Sequence, residues 1–417
     1  MAMNDDSVRS HGDPIPNDWC VSPIKERVNF ANGKAHEHLV CENGRFVVVN
    51  SKFISSNGLV VKYSNTALSL AKRGDILMVM SDVPNGKAVA KCFVVGTDSL
   101  YTANQRICII RSTTDNSQYL YFKLNRNPYF LAFDDGVKQT NLRKQDILGC
   151  SLEFPPTRAE QEAIAGALSD ADTWIESLEQ LIAKKRQIKQ GAMQELLTGK
   201  RRLAGFDGEW QTRFIGEVAS VDPENLGSDT KSDFAFKYIS LEDVDTGTLR
   251  SWSEHVFHSA PSRARRRLRV GDVLVSTVRP NLMSHYLFNG QESDWVCSTG
   301  FCVLRCMTGI THPYFVFAQM FSGNVNSQIN ALLTGSNYPA INSRDVAALR
   351  IAAPSYAEQS AITSIVCGMD SEIVELETKL AKARLIKQAM MQELLTGRIR
   401  LVQPTASADR IQKAAHA

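Results

Sequence analysis

Apolar residues recur at three- and four-residue spacing along two long stretches of the chain, the period of an amphipathic helix. In the first stretch they are Ile164, Leu168, Ala171, Ile175, Leu178 and Ile182. In the second they are Ile362, Val366, Met369, Ile373, Leu376, Leu380 and Ala383. Each set forms a heptad seam and predicts a long helix with one apolar stripe. Beyond the seam the register is expected to shift, to Ile188, Ala192 and Leu196 and to Ile386, Met390 and Leu394. Pro156-Thr157 precedes Glu160, and Pro354-Ser355 precedes Glu358. This spacing predicts a capping box, with Thr157 and Ser355 as N-caps. Gly199 and Gly397 are placed to end the helices in the left-handed conformation. About 40 residues per helix, at 1.5 Å each, makes roughly 60 Å.

The two stretches are copies of one another. Gln194-Glu195-Leu196-Leu197-Thr198-Gly199 returns as Gln392-Glu393-Leu394-Leu395-Thr396-Gly397, an offset of 198 (392 − 194). The offset holds without a gap from Pro156/Pro354 to Leu203/Leu401, with about half of the paired positions identical. The chain is therefore a tandem duplication, each half closed by a long helix. Such a helix must bury its stripe, and its own repeat is present at high effective concentration. The expected arrangement is an internal antiparallel coiled coil related by a pseudo-two-fold axis; the alternative is a coil used for homodimerisation.

Outside the helices the periodicity changes. Residues 16–155 and 204–353 read as similar mixed α/β units of roughly 140 residues, an ordinary domain size. Each opens on a tryptophan, Trp19 or Trp210, followed by matched Ile24/Ile215 and Glu26/Glu217. Phe46–Val49 is a β-branched run; Ser55-Ser56-Asn57-Gly58 is turn chemistry, and Leu59–Tyr63 is expected as the hairpin partner. A Gly-Asp turn feeding an apolar strand recurs, Gly74-Asp75 before Ile76–Met80 and Gly271-Asp272 before Val273–Ser276. Arg106–Arg111 and Gly300–Arg305 are further strands, and Tyr119–Phe122 and Tyr314–Phe317 read as helices packed on a sheet. The organisation is thus a flexible lead-in 1–15, a globular unit 16–155, a helix 156–203, a second unit 204–353, a second helix 354–401 and a flexible tail 402–417.

Composition changes this picture little. A formal charge of +3 carries information only where the charge clusters. The N-terminus is polar with no apolar region after it, and no run approaches the roughly 18 apolar residues of a membrane span. The nine cysteines include no Cys-x-x-Cys pair. Cys297, Cys302 and Cys306, with His255 and His258 nearby, read as core thiols rather than as a zinc site. Free-looking cysteines in odd number fit a reducing cytoplasm.

Catalytic signals are poor. Asn127-Pro128-Tyr129-Phe130 resembles the Asn-Pro-Pro-aromatic motif of adenine N6-methyltransferases, but its second proline is missing and no glycine-rich cofactor loop precedes it. It reads as a turn. Glu377-Thr378-Lys379 lies within the coil and reads as a solvated face. Basic clusters say more. Arg263, Arg265, Arg266, Arg267 and Arg269 fall within seven residues, and Arg279-Pro280-Asn281 follows the next strand. Guanidinium forks match phosphate oxygens, so a DNA-facing helix or loop is one reading and a solvated charged face the other. Lys62, Lys72, Arg73 and Lys87 are a thinner version in the first half. The basic residues on the coil, Lys184 to Lys189 and Lys382 to Lys387, read as exposed coil charges.

The ordered set of motifs, repeated in both halves, is similar to that of specificity subunits of Type I restriction–modification systems. The likeness covers nearly all of residues 16–401. It rests on the tryptophan-led entries, the Gly-Asp-[Ile/Val]-Leu strands, the Pro-x-x-x-Glu-Gln helix starts and the Gln-Glu-Leu-Leu-Thr-Gly helix ends. It implies an α+β chain of two target recognition domains joined by an antiparallel coiled coil that acts as a ruler. Each domain is then expected to read one half of a split, asymmetric double-stranded DNA target. Two modification subunits dock on such a chain and carry S-adenosylmethionine chemistry; restriction subunits add ATP- and Mg-dependent translocation and cleavage. The chain itself is expected to be non-catalytic, to hold no cofactor and no metal, and to work in the cytoplasm without a membrane. The polar loops Lys138-Gln139 and Ser336-Asn337-Tyr338 join the arginines as candidate DNA contacts. Rival readings are a stand-alone adenine methyltransferase and a coiled-coil scaffold with no DNA-reading role.

Overall fold

The computed structural model describes residues 15–83, 87–291, 294–333 and 339–402. The chain divides into two compact units, residues 1–177 with 379–417, and residues 178–378. The division falls inside both long helices, Arg158–Leu196 and Tyr356–Leu394. Each unit therefore contains one globular domain, the beginning of one long helix and the end of the other.

In the first unit a four-stranded antiparallel sheet runs in the order Val28–Asn32, Ile107–Ser112, Ile76–Val79, Cys92–Val94. A second sheet runs Val40–Cys41, Tyr63–Ser64, Phe46–Val49, Tyr101–Ala103, its last pair parallel. The second unit repeats the plan. Its antiparallel sheet is Ala219–Val221, Phe301–Cys306, Val273–Ser276, Tyr286–Leu287. Its other sheet again holds one parallel pair, Ala235–Ile239 beside Trp295–Ser298.

The Gly-Asp strand is the centre of each unit. Ile76 and Met78 point into one core and Leu77 and Val79 into another. Val273 and Val275 are divided from Leu274 in the same way. Burial on both faces explains why these strands read as continuous apolar runs rather than alternating ones. The preceding glycines have φ of +85° and +89°, a conformation that suits glycine. The buried aspartates accept paired hydrogen bonds from the next strand's arginine. Arg111 donates to both oxygens of Asp75 at 2.7 Å, and Arg305 donates to those of Asp272 at 2.9 and 2.7 Å. The motif is therefore structural.

Thr157 and Ser355 accept from the amides of Glu160 and Glu358, both at 3.3 Å, as expected of N-caps. The reciprocal half of the box is replaced. Both Glu358 oxygens accept from Arg202, at 2.7 and 2.8 Å, and both Glu160 oxygens accept from Arg400. The end of each helix is thus tied to the start of its repeat. Gly199 and Gly397 take φ of +70° and +74°, and the rings of Trp210 and Trp19 lie against them. This packing is what places a tryptophan at each domain entry.

The helices pair antiparallel within each unit. In the second unit Lys185 meets Glu372 at 2.6 Å and Lys189 meets Asp370; in the first, Lys387 meets Asp172. Ile164, Leu168, Leu178, Ile182, Ile362, Val366 and Ile373 are buried, while Ile175, Leu376 and Leu380 are half-buried. The expected register shift does not occur. Ile188 and Ile386 are exposed, at 48% and 40%. The stripe instead keeps its three- and four-residue spacing from Ile182 onto half-buried Lys185, Lys189 and Ala192. On the other helix it runs through Ala383, Lys387 and Met390. Lysine stems cover the apolar surface while their ammonium groups meet carboxylates of the partner helix, so a polar residue stands at a seam position.

One hairpin differs from expectation. Only Tyr63–Ser64 pairs with Phe46–Val47; Ser51–Ser55 is a helix and Leu59 is 87% exposed. The turn at Asn57-Gly58 is present, with φ of 51° and 82°.

Candidate nucleic-acid interface

The arginine run is a strand, Ala264–Arg267, paired with Trp295–Ser298, and not the helix or loop expected. Most of its charge is answered within the domain. Arg266 is largely buried and pairs with Asp222, whose oxygens also accept from the Val303 amide at 2.8 Å and the Ser343 hydroxyl at 2.5 Å. Arg269 pairs with Glu224, which Arg305 also reaches at 2.7 Å. Arg267 lies 3.5 Å from Asp294, and the Arg265 guanidinium sits 5.0 Å from the Phe257 ring centre. Arg263 is exposed and has no carboxylate partner among the described residues. Alternation along the strand sets Arg266 on the opposite face from its odd-numbered neighbours, and it is the arginine of the run that is largely buried.

Arg279 and Asn281 lie on an exposed turn at the far end of the Gly-Asp strand. Arg279 and Met283 hold φ of 50° and 53° on either side of Pro280–Leu282. The Arg279 amide donates to Pro339 at 2.8 Å, and Val278 bridges Ala340. Ser336, Asn337 and Tyr338 lie outside the described residues.

In the first unit the candidates are separated. Lys62, Arg73, Lys87, Lys138 and Gln139 are all exposed. Arg73 precedes Ile76–Val79 and Ser81 follows it, so the two stand at opposite ends of a strand about 13 Å long. Lys62 belongs to the other sheet, where its carbonyl accepts from Val48. Gln139 stands at the far end, donating to the Ser81 hydroxyl at 2.7 Å beside the paired strands Ser81–Asp82 and Thr140–Asn141. This end opens into a cleft of about 550 Å³ lined by polar side chains that sequence reasoning missed, Asn32, Gln105, Arg106 and Asn141 among them. They come from three separate segments of the chain, so no local pattern marks them.

Asn127 is engaged as a helix cap. Its carbonyl oxygen accepts from Tyr129 at 2.9 Å and its amide donates to Lys123 at 2.8 Å. Both ends of the carboxamide are thus engaged in capping the helix, which weighs against the methyltransferase reading. Cys297 and Cys302 are core residues, and burial pushes their thiols up, to about 11 for Cys302.

His285 supports the turn that carries Arg279. Its Nδ1 accepts from the Ser276 amide at 3.1 Å, and burial lowers its pKa to about 4. The unfolded chain takes up the proton near 6.5 and the folded one does not. Stability is therefore complete above about pH 6.5 and falls as the pH drops toward 4, by about 3 kcal/mol in all. We expect the thermal transition of the second unit to fall steeply between about pH 7 and 4.5, and H285Q to flatten that dependence. An unchanged slope in H285Q would disprove the assignment.

The architecture is thus two duplicated α+β domains, each packed on an antiparallel helix pair and each carrying polar side chains near the end of its central strand. Residues 16–190 match the family model of the Type I restriction modification DNA specificity domain. The chain is 20% identical over 434 residues to the Type I restriction enzyme MjaVIII specificity subunit of Methanocaldococcus jannaschii, covering 94% of this chain and 95% of that one. It is 28% identical over 123 residues to the HindI specificity subunit of Haemophilus influenzae, covering 29% and 26%. The fold matches that of the S subunit from M. genitalium, with a TM-score of 0.59, 15% identity and coverage of 94% and 98%. A second match, at TM-score 0.56 and 16% identity, covers 93% of this chain and all of a chain from a Type I restriction–modification assembly. The likeness to specificity subunits of Type I restriction–modification systems thus runs through the sequence of the first domain and the fold of the whole chain. Among the described residues no helix is long and apolar enough to cross a membrane.

Proposed function

We propose that this chain reads a split, asymmetric double-stranded DNA sequence, one half with each unit, and brings two adenine-modifying subunits and the restriction subunits to it. The chain contributes recognition and no catalytic group. S-adenosylmethionine, ATP and Mg belong to the partner subunits, and the assembly acts in the cytoplasm. One observation carries the asymmetry. The two units share the same buried framework, Asp75–Arg111 with Asp272–Arg305 and Glu160–Arg400 with Glu358–Arg202. Yet the segment after the central strand is buried Ser81 and half-buried Asp82 in one, and exposed Val278 and Arg279 in the other. Identical scaffolds bearing different side chains read different half-sites; base contacts, not phosphate contacts, carry sequence.

The test is methylation-aware sequencing of DNA from a host that expresses this chain with its modification partner. We expect a two-part motif with methyladenine in both halves, absent without this chain. Exchanging residues 16–155 for those of a relative with another target should change one half only. Methylation independent of the chain would refute the proposal.

A further inference from the structure

We propose that the polar cleft of the first unit is a base-reading site for one half of the DNA target, with Arg106 directed at a guanine and the carboxamides of Asn32 and Gln139 at adenine. This deepens the function proposed above and rests on it.

The cleft is built rather than incidental. The turns after Val28–Asn32, after Ile76–Val79 and before Ile107–Ser112 converge there with the strand Thr140–Asn141. Their backbone groups are spent on one another: Gly33 N–H to Ile107 O at 2.8 Å, Met80 N–H to Arg106 O at 2.9 Å, and Leu142 N–H to Met80 O at 2.8 Å. A Cβ on Gly33 would lie 2.0 Å from the Asn104 oxygen, so these turns approach only around a glycine. What remains at the mouth is side chains.

Those side chains suit base edges. Asn32, Arg106, Gln139 and Asn141 are exposed. Among the described residues the Arg106 guanidinium and the Asn32 carboxamide have no hydrogen-bond partner. The Gln139 amide nitrogen donates to the Ser81 hydroxyl at 2.7 Å and to Asn141 Oδ1 at 3.4 Å, so its carbonyl oxygen is the group left for a base donor such as the adenine amino group. Gln105 is tied back to Glu37 at 3.0 Å and is not assigned a contact. The nearby acids are occupied: Asp82 accepts from Val83 and Ala88, and Asp134 accepts from Gly136 and the Thr140 hydroxyl. A phosphate site would be dominated by cations and backbone amides. Carboxamides with one guanidinium match instead the paired donors and acceptors of adenine and guanine in the major groove. Exposed Lys34, Lys138 and Arg143 adjoin the cleft in sequence and are available for the flanking phosphates.

The second unit does not repeat this chemistry. Strand register places Pro223, Val278, Thr299, Gly300 and Ala340 where the first has Asn32, Ser81, Gln105, Arg106 and Asn141. Among the described residues the amide-rich cleft belongs to the first unit.

The experiment uses the full chain assembled with its modification subunits and selects from randomised duplexes, with methylation-aware sequencing as a second readout. R106A is expected to lose guanine discrimination at one position by about ten-fold or more, and N32A or Q139A to relax an adenine position in the same half. The other half should be unchanged. R106K keeps the charge without the fork; it should lose the guanine preference yet keep the salt dependence of binding. The proposal is overturned if all variants weaken binding to every duplex alike, if R106K behaves as wild type, or if the other half-site changes. Matching melting temperatures exclude misfolding. If the unaltered assembly shows no sequence preference, the proposed function fails and this assignment with it; preference retained in every variant defeats the cleft alone.

Discussion

A chain ending at Met391 is expected to lose the fold of its first unit while the second stays folded. Leu394 and Leu395 lie in the core of the first domain, with Trp19, Leu120, Phe154 and Ile164. The Lys123 ammonium, itself buried, donates to the Leu395 carbonyl at 3.0 Å and to Glu153 at 2.6 Å. Arg400 binds Glu160 and also Asp18, at 2.9 and 3.0 Å. Each buried leucine lost costs about 2–5 kcal/mol. Stripping Arg400 from the buried Glu160 costs about 3–5 kcal/mol more. The sum rivals the whole stability of an ordinary domain, about 5–15 kcal/mol. Hydrogen exchange should show residues 16–155 unprotected and 204–353 protected. The mirror experiment, L196A with L197A and R202A, should reverse the pattern, because these residues pack on Phe315, Ile362 and Glu358. Equal loss of protection in both units would contradict the assignment.

The arginine run should divide sharply on substitution. R266A removes one partner of a buried pair, whose side chains are only 13% and 16% exposed. It leaves the Asp222 carboxylate with the Val303 amide and Ser343 hydroxyl alone, and Asp222 is held at φ 49°. The expected cost is about 3–5 kcal/mol, read as a lower melting transition of the second unit. R263A should change stability by less than about 0.5 kcal/mol, as for other exposed positions. If Arg263 meets a phosphate, R263A lowers affinity for all sequences alike and reduces the slope of log K against log salt by about 1. The same substitutions thus separate an arginine that holds the domain from one offered to DNA. Stability unaffected in R266A would remove the structural role assigned to it.

Much of the organisation is legible in the sequence because it is written twice. The repeat from Pro156 to Leu203, its N-caps, its terminal glycines and the tryptophan-led entries mark the helices and the expected domain starts, and the structure shows both helices with their caps. These features are local or periodic, and periodicity survives in one dimension. The seam misleads only where lysines replace apolar residues. A stem can cover apolar surface while its charge finds Asp370 or Asp172, so Lys189 and Lys387 occupy positions that hydrophobicity alone assigns to Ile188 and Ile386.

The candidate interface is legible in part. Gln139 and Arg279 stand where exposed turns close the central strands. The arginine run, the loudest charge signal in the chain, is largely answered by Asp222, Glu224 and Asp294, which lie outside the run and reach it through strand pairing. Repeat identity and apolar periodicity are enough to establish two related domains and two long helices, since both act along the chain. Three-dimensional packing alone settles which arginines are spent internally and which side chains from separate segments, Asn32, Arg106 and Gln139, share one cleft. The reason is physical: a side chain's availability depends on partners that strand pairing brings to it, and those partners have no set distance in sequence.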